Sequence, residues 1–242
     1  MSENWLKIEE GLDVTELLGV KKWEIPLAPC LKGDALGLFP SFIPKTDEER
    51  WQNLTDREIS WYSDDKFEVT VKMDGQSLTV YHNNEHNGVC SRNLELKESE
   101  ESLQWKLVYD LDLIQALVGL NLNIAIQGEL CGPGIQKNRM KLDKHRFFVF
   151  NIWDIDNKRY YSALERFDFI NLLREKFNVH LDHVDIVKTW VEGIPDLVTV
   201  DSLSREVKYN GQVIEGLVYK SLDDPSFSFK YINPEFLLKE KE

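Results

Sequence analysis

Lys66-Phe-Glu-Val-Thr-Val-Lys72-Met73-Asp74-Gly75-Gln-Ser-Leu-Thr-Val-Tyr81 is the stretch on which the reading of this chain turns. Two alternating runs, Lys66 to Val71 and Ser77 to Tyr81, flank Lys72-Met73-Asp74-Gly75. A period of two puts Phe67, Val69 and Val71 on one face of a strand and Glu68, Thr70 and Lys72 on the other. Asp-Gly is turn chemistry, so the pattern predicts a β-hairpin with a lysine at the end of its first strand. With the apolar face on a core, Lys72 points into whatever cleft the sheet lines.

Working outward, residues 23–55 carry four of the eight prolines (Pro26, Pro29, Pro40, Pro44), which forbids a long helix there. Asp47 to Leu54 reads as a short helix, with Thr46 and Glu49 spaced as a capping box. Val89 to Leu96 is a predicted strand carrying Arg92. Leu111, Ile114, Leu117 and Val118 have helical spacing within Asp110 to Leu120. Asn123 to Leu130 is a strand ending at Gly128-Glu129, and Phe147 to Ile155 a strongly apolar one interrupted by Asn151 and Asp154. Ala163 to Phe177 is helical, with Leu164, Phe167, Ile170, Leu173 and Phe177 on one stripe. A weaker helix spans Asp201 to Val207, and strands Gln212 to Lys220 and Phe227 to Ile232 follow. Strands dominate in an irregular order, an α+β pattern with an antiparallel or mixed sheet. Residues 1–22, including Asp13-Val-Thr-Glu-Leu-Leu, read as a brace or linker before a domain over 23–242.

The 242 residues suffice for a sizeable core, and apolar content is that of an ordinary globular protein. No long apolar run provides a membrane span, and the N-terminus lacks a basic-then-apolar leader. Three scattered cysteines (Cys30, Cys90, Cys131) fit free thiols in a reducing compartment, cytoplasmic or nuclear. Net charge is −13, so a polyanion partner must be met by a local patch or by another domain. No P-loop or Rossmann glycine pattern occurs. His82 and His86 are four apart around a turn-like Asn83-Asn84, which is poor zinc geometry.

Polar residues fall at five places, at strand ends or within apolar strands: Lys72; Glu129; Asn151 with Asp154; Glu215 in Glu-Gly-Leu-Val-Tyr-Lys220; and Lys230 in Ser-Phe-Lys-Tyr-Ile-Asn233. Their order and context resemble the covalent nucleotidyltransferase superfamily of polynucleotide ligases and capping enzymes. Lys72 to Gly75 matches the nucleophile motif, Phe147 to Ile155 the aromatic-rich central strand, Glu215 to Lys220 the Glu-Gly-x-x-x-Lys motif and Phe229-Lys230 the final lysine motif. Within the superfamily the chain is most similar to ATP-dependent RNA ligases, through Ser91-Arg92-Asn93, Gly128-Glu129-Leu130 with Gly132-Pro133-Gly134, and Phe39 to Arg50. The last stretch resembles a branch in which an OB domain precedes the transferase domain.

The resemblance implies an ATP-grasp-like ligase domain whose sheets surround a nucleotide cleft. It implies a lysyl-AMP intermediate on Lys72, with ATP as co-substrate, Mg2+ or Mn2+, and RNA (or RNA/DNA ends) as partner. By the same resemblance Asp74 and Glu215 would hold metal-bound waters, with Asp154 compensating for Asn151 where aspartate is common. Glu129 would bind ribose hydroxyls, Phe150 stack on adenine, Arg92 bind ribose or the RNA end, and Lys230 contact the α-phosphate. Ser228 stands where a paired lysine is often found, a deficit Lys220 could fill. A nucleophilic lysine must be neutral, so its pKa is expected to fall roughly three units from about 10.4, under burial and a nearby cation such as Lys230 or a metal. Alternation places Glu215 and Lys220 on opposite strand faces unless Gly216 bulges the strand. A basic cluster, Lys137, Arg139, Lys141, Lys144 and Arg146, is either a solvated loop or an RNA-phosphate contact led by Lys137 and Arg139. A DNA ligase, a GTP-using capping domain, a non-covalent nucleotide- or RNA-binding module and a purely structural domain stay open at this point.

Overall fold

In chain order the strands and helices are β1 (Ala35–Leu38), β2 (Glu49–Arg50), α1 (Asp56–Trp61), β3 (Lys66–Lys72), β4 (Gln76–Asn83), β5 (His86–Cys90), β6 (Leu94–Leu96), α2 (Leu103–Asp110) and α3 (Leu113–Leu120). They continue with β7 (Ile124–Cys131), β8 (Arg146–Asp154), β9 (Arg159–Tyr160), α4 (Ala163–Phe177), β10 (Asp182–His183), β11 (Ile186–Glu192), α5 (Leu197–Glu206), β12 (Lys208–Tyr209), β13 (Gln212–Val213), β14 (Gly216–Ser221), β15 (Ser228–Ile232) and α6 (Pro234–Glu240). These assignments come from a computed structural model that describes residues 34–84 and 86–240. The brace expected over 1–22, Pro26, Pro29 and Cys30 lie outside the described residues.

The predicted α+β class with antiparallel and mixed sheets is what the chain adopts. One sheet runs β1-β6-β5-β4-β7-β8-β10, with β9 paired to β8; a second runs β11-β3-β14-β15-β2. Helices α2, α3 and α4 share a core with the first sheet, in which Val108, Leu113, Leu117 and Leu173 meet Leu78, Val80, Ile126 and Val149. Phe67, Val69 and Val71 of β3 join Leu217, Tyr219 and Phe229 in a second core, which also takes Phe148 from β8. Each such side chain contributes about 1.5–3 kcal/mol when fully buried. Both faces of β3 are covered, because Glu68 on its polar face bonds to the buried guanidinium of Arg166 on α4.

The predicted hairpin is not formed. β3 pairs with β11 and β14, whereas β4 pairs with β5 and β7. Met73-Asp74-Gly75 therefore carries the chain from one sheet to the other. Gly75 is required by close approach, not by a primed turn: a Cβ there would lie 2.4 Å from the Leu130 carbonyl oxygen and 2.6 Å from Cys131 Sγ.

Other boundaries shift for identifiable reasons. The capping box is Thr55 with Glu58, starting α1, while Glu49 and Arg50 pair in parallel with β15 and Trp51–Asn53 forms a 3-10 turn. The strand expected over Val89 to Leu96 bends at Ser91–Asn93, and the helix expected over Asp110 to Leu120 is broken by a left-handed Asp112 (φ 52°). The α4 stripe is rotated: Leu164 is exposed, and Arg166, Phe169, Ile170 and Leu173 face inward, because Arg166 must reach Glu68.

Candidate active site

Lys72 ends β3 beside the start of β14, where it is paired with Gly216. Antiparallel register puts Glu68, Thr70 and Lys72 on the same face as Val218, Lys220 and Lys230. No register shift interrupts β14, so Gly216 does not bulge. Glu215 instead lies in a bend just before the strand, free of its alternation, and Lys72 Nζ donates to Glu215 Oε2 at 2.8 Å. Gly216 is needed for closeness here too, since a Cβ would meet the Tyr231 carbonyl oxygen at 2.1 Å.

The crossover brings Asp74 and Gly75 against β7, where Ser77 is paired with Glu129. Glu129 is thereby gathered with Lys72, Glu215 and Asp74, each close enough to influence its ionisation. Glu48, which sequence reasoning passed over, belongs to the same cluster: its charge bears on Lys72, Glu129 and Lys220. It sits just before β2 in a stretch read as helix, and no periodicity marks it.

The electrostatics follow from this crowding. Burial, reinforced by Glu215, Glu48 and Asp74, pushes the Glu129 carboxyl up to about 8 despite the opposing pull of Lys72. Glu215 is likewise pushed up by burial against the pull of Lys72. Burial favours the neutral Lys72 amine, but the attraction and hydrogen bond of Glu215, with the charges of Glu129 and Glu48 added, together outweigh it, and the pKa rises above its ordinary value. This reverses the depressed pKa expected from the sequence: the nearest charge is an anion, not a cation. Lys220 is the depressed lysine, brought down to about 7 by burial and then by Arg166.

Lys220 Nζ donates to the Phe150 carbonyl oxygen at 3.0 Å and to Asn151 Oδ1. The carbonyl is available because the β7–β8 register slips there: Gln127 opposes Asn151 and Gly128 opposes Val149, leaving Phe150 unpaired in a bulge. The Phe150 ring is half-buried against the second core. Lys230, on β15 opposite Val218, lies close enough to Glu215 to act on its charge.

Other expected site residues stand apart or are already engaged. Arg92 occupies the exposed bend after β5, at the end of the sheet that holds Glu129, and is paired with Asp47. Asp154 is at the far end of β8, opposite Ile124, five residues along β7 from Glu129. Its two carboxylate oxygens accept from the Asn157 backbone N–H at 2.9 Å and from Asn157 Nδ2 at 2.8 Å, so it closes a turn and does not join the cleft as a metal ligand. Arg139 is not a free surface cation: it donates to Asp74 Oδ2 at 2.9 Å and lies over the Phe236 ring. Arg146 is held by Asp182 at 2.8 Å, which leaves Lys137, Lys141 and Lys144 as the exposed lysines of that basic stretch. His82 and His86 bond to Asn87 and Glu95 respectively.

The donor set fits a hard divalent cation. Glu48, Asp74, Glu129 and Glu215 gather carboxylate oxygens at one cleft, the ligand type that such an ion takes. Among the described residues no three His, Cys, Asp or Glu side chains are close enough to cage an ion, so the fit is to an ion that retains waters.

Comparison with known proteins bears directly on this cleft. The RNA ligase family model matches residues 65–232, from the start of β3 to the end of β15. Three structures of Naegleria gruberi RNA ligase are similar at 42% identity over 96% of this chain and 68% of theirs: a variant with ATP and Mn (TM-score 0.81), a lysine-to-methionine variant with AMP and Mn (0.80) and the protein with pyrophosphate (0.80). A search of curated proteins returns no match. A family match over the whole span from β3 to β15, joined to that identity with a solved ligase, means that this chain belongs to the RNA ligase family.

Proposed function

We propose that Lys72 is the nucleophile of an ATP-dependent RNA ligase and that the cleft around it is built to form lysyl-AMP. The observation that carries this is the 2.8 Å contact between Lys72 and Glu215, residues far apart in sequence, on a face shared with Lys220 and Lys230. In the first step the Lys72 nitrogen lone pair forms a bond to the α-phosphorus of ATP. The α–β phosphoanhydride P–O bond breaks, and pyrophosphate leaves with the electron pair. The ammonium proton must go first, and Glu215, already bonded to it and raised by burial, is the acceptor in place. A 5′-phosphate oxygen of RNA next displaces the lysine, giving an adenylylated end. The 3′-hydroxyl oxygen of the other end then attacks that 5′-phosphorus, forming the phosphodiester and releasing AMP.

Lys230 is assigned to the α-phosphate, as its position opposite β14 and beside Glu215 supports. Glu129, held neutral, keeps one O–H to donate and an oxygen to accept, which suits ribose hydroxyls. Phe150 is assigned to the adenine face, and Arg92 and Lys137 to the RNA ends. Mg2+ or Mn2+ would be held through waters by Asp74 and Glu215, with Glu48 nearby. When bound, the ion supplies positive charge that offsets the triphosphate and lowers the proton affinity of the amine. No helix among the described residues is long and apolar enough to cross a membrane. An intracellular location is supported by the unpaired, buried thiols of Cys90 and Cys131.

The test is incubation with labelled ATP or GTP and Mg2+ or Mn2+, followed by a denaturing gel. An acid-labile label from ATP alone, lost in Lys72→Met, is expected. Label that survives Lys72→Met, or that comes from GTP equally well, overturns the proposal.

A further inference from the structure

The loop between β7 and β8 is folded onto the nucleophile crossover in a way the adenylylation chemistry above does not use. Gln136 Nε2 donates to the Gly75 carbonyl oxygen at 3.2 Å, and Asn210 Nδ2 ties the Met140 carbonyl to the β12–β13 turn at 3.0 Å. Asn138 bonds both to and from the Leu142 backbone, while Met140 and Leu142 are buried in the second core. Three non-glycine residues here adopt left-handed backbone: Gln136 (φ 46°), Asn138 (φ 42°) and Lys141 (φ 53°). Such conformations cost of order 1 kcal/mol each and persist where the surroundings dictate them. The side chain delivered by this anchored, strained loop is Arg139.

Arg139 makes one bond to Asp74, Nη1 to Oδ2 at 2.9 Å, with both side chains mostly shielded from solvent. Its guanidinium carbon lies 4.5 Å from the centroid of the buried Phe236 ring, in the first turn of α6. One Asp74 oxygen is therefore fixed, and the other makes no hydrogen bond among the described residues. A planar fork stacked on a ring and bonded once is an orienting device.

Building on the assignment of Asp74 to metal-bound water, we propose that Arg139 is a positioning residue for adenylylation: it holds Asp74 by one oxygen so that the other faces the divalent cation. Phe236 fixes the guanidinium, which makes the start of α6 part of the same support.

The test uses the full chain. Half-saturating Mn2+ for lysyl-AMP formation without RNA is measured for wild type, Arg139→Gln, Arg139→Lys and Phe236→Leu. Thermal shifts on adding ATP and Mn2+ are measured for Lys72→Met with and without Arg139→Gln, a readout that needs no turnover. Arg139→Gln is expected to raise the half-saturating Mn2+ about tenfold and to shrink the shift produced by ATP with Mn2+. Arg139→Lys should recover part of the loss, and Phe236→Leu should give a smaller change in the same direction. Melting without ligand separates these effects from misfolding. An unchanged metal curve with a defect confined to RNA joining overturns the proposal in favour of an RNA contact. Tighter Mn2+ binding in Arg139→Gln overturns it in favour of an arginine that sequesters Asp74. If wild type itself takes up no AMP, the ligase assignment fails instead.

Discussion

Replacing Gly75 by alanine tests the cleft at its narrowest point. The new Cβ would stand 2.4 Å from the Leu130 carbonyl oxygen, 2.6 Å from Cys131 Sγ and 2.9 Å from Glu129 Cγ, where ordinary contact begins at 3.4 Å. Leu130 is paired with Gln76 and Phe147 in the middle of a sheet, so its carbonyl cannot retreat cheaply. The crossover must move instead, by about 1 Å, taking Asp74 and Lys72 away from Glu129. Overpacking of this kind costs about 1–3 kcal/mol, or roughly 2–4 °C of melting temperature per kcal/mol in a chain of this size. A misplacement of about 1 Å at a reacting centre costs on the order of 100-fold in rate. Single-turnover AMP capture and thermal melting measure the two effects together. Gly37→Ala, with nothing within 4 Å, is the control and should change neither. A Gly75→Ala protein that melts and reacts like wild type would refute the close packing of crossover on β7 and the dependence of the chemistry on it.

Further outcomes follow from individual contacts. Glu129 is raised to about 8 in the folded chain, so between pH 4.5 and 8 the folded state holds a proton that the unfolded state has released, and stability falls as pH rises through that window. Allowing for partial exposure, this is worth about 2 kcal/mol, and Glu129→Gln should melt higher than wild type at pH 8 but not at pH 4. Arg166→Met strands the buried Glu68 carboxylate and should cost about 3–5 kcal/mol in denaturant unfolding. Adding Glu68→Leu should restore most of it; no recovery in the double variant would mean that the pair is not the source. Asp154→Ala removes two turn-closing bonds and should cost about 1 kcal/mol while leaving AMP capture intact. Lost capture with unchanged melting would return Asp154 to the metal site.

Much of the site was legible because its members lie in strands, where period two fixes direction. Lys72, Lys220 and Lys230 share a face as alternation requires, and Glu215 meets Lys72. What alternation cannot show is which strand pairs with which. Lys66–Tyr81 has hairpin chemistry, yet its halves enter different sheets, because β14, more than 140 residues on, competes for β3 and β7 competes for β4. Glu215 lies outside any strand, so the expected bulge at Gly216 was unnecessary; the bulge occurs at Phe150 instead. Arg139 and Arg146 looked like surface cations because their partners, Asp74 and Asp182, are distant in sequence. Asp154 looked like a ligand because a turn-closing carboxylate and a metal-binding one have the same residue type at the same strand end. Glu48 carries no pattern at all.

The central claim is that one half-buried amine, bonded to Glu215, captures AMP. Intact-mass measurement after incubation with ATP and Mg2+, followed by peptide mapping, tests it most directly. The account predicts a single AMP adduct on Lys72, absent from Lys72→Met and much reduced in Glu215→Ala. An adduct on another residue, or none on wild-type protein that binds ATP, would contradict it.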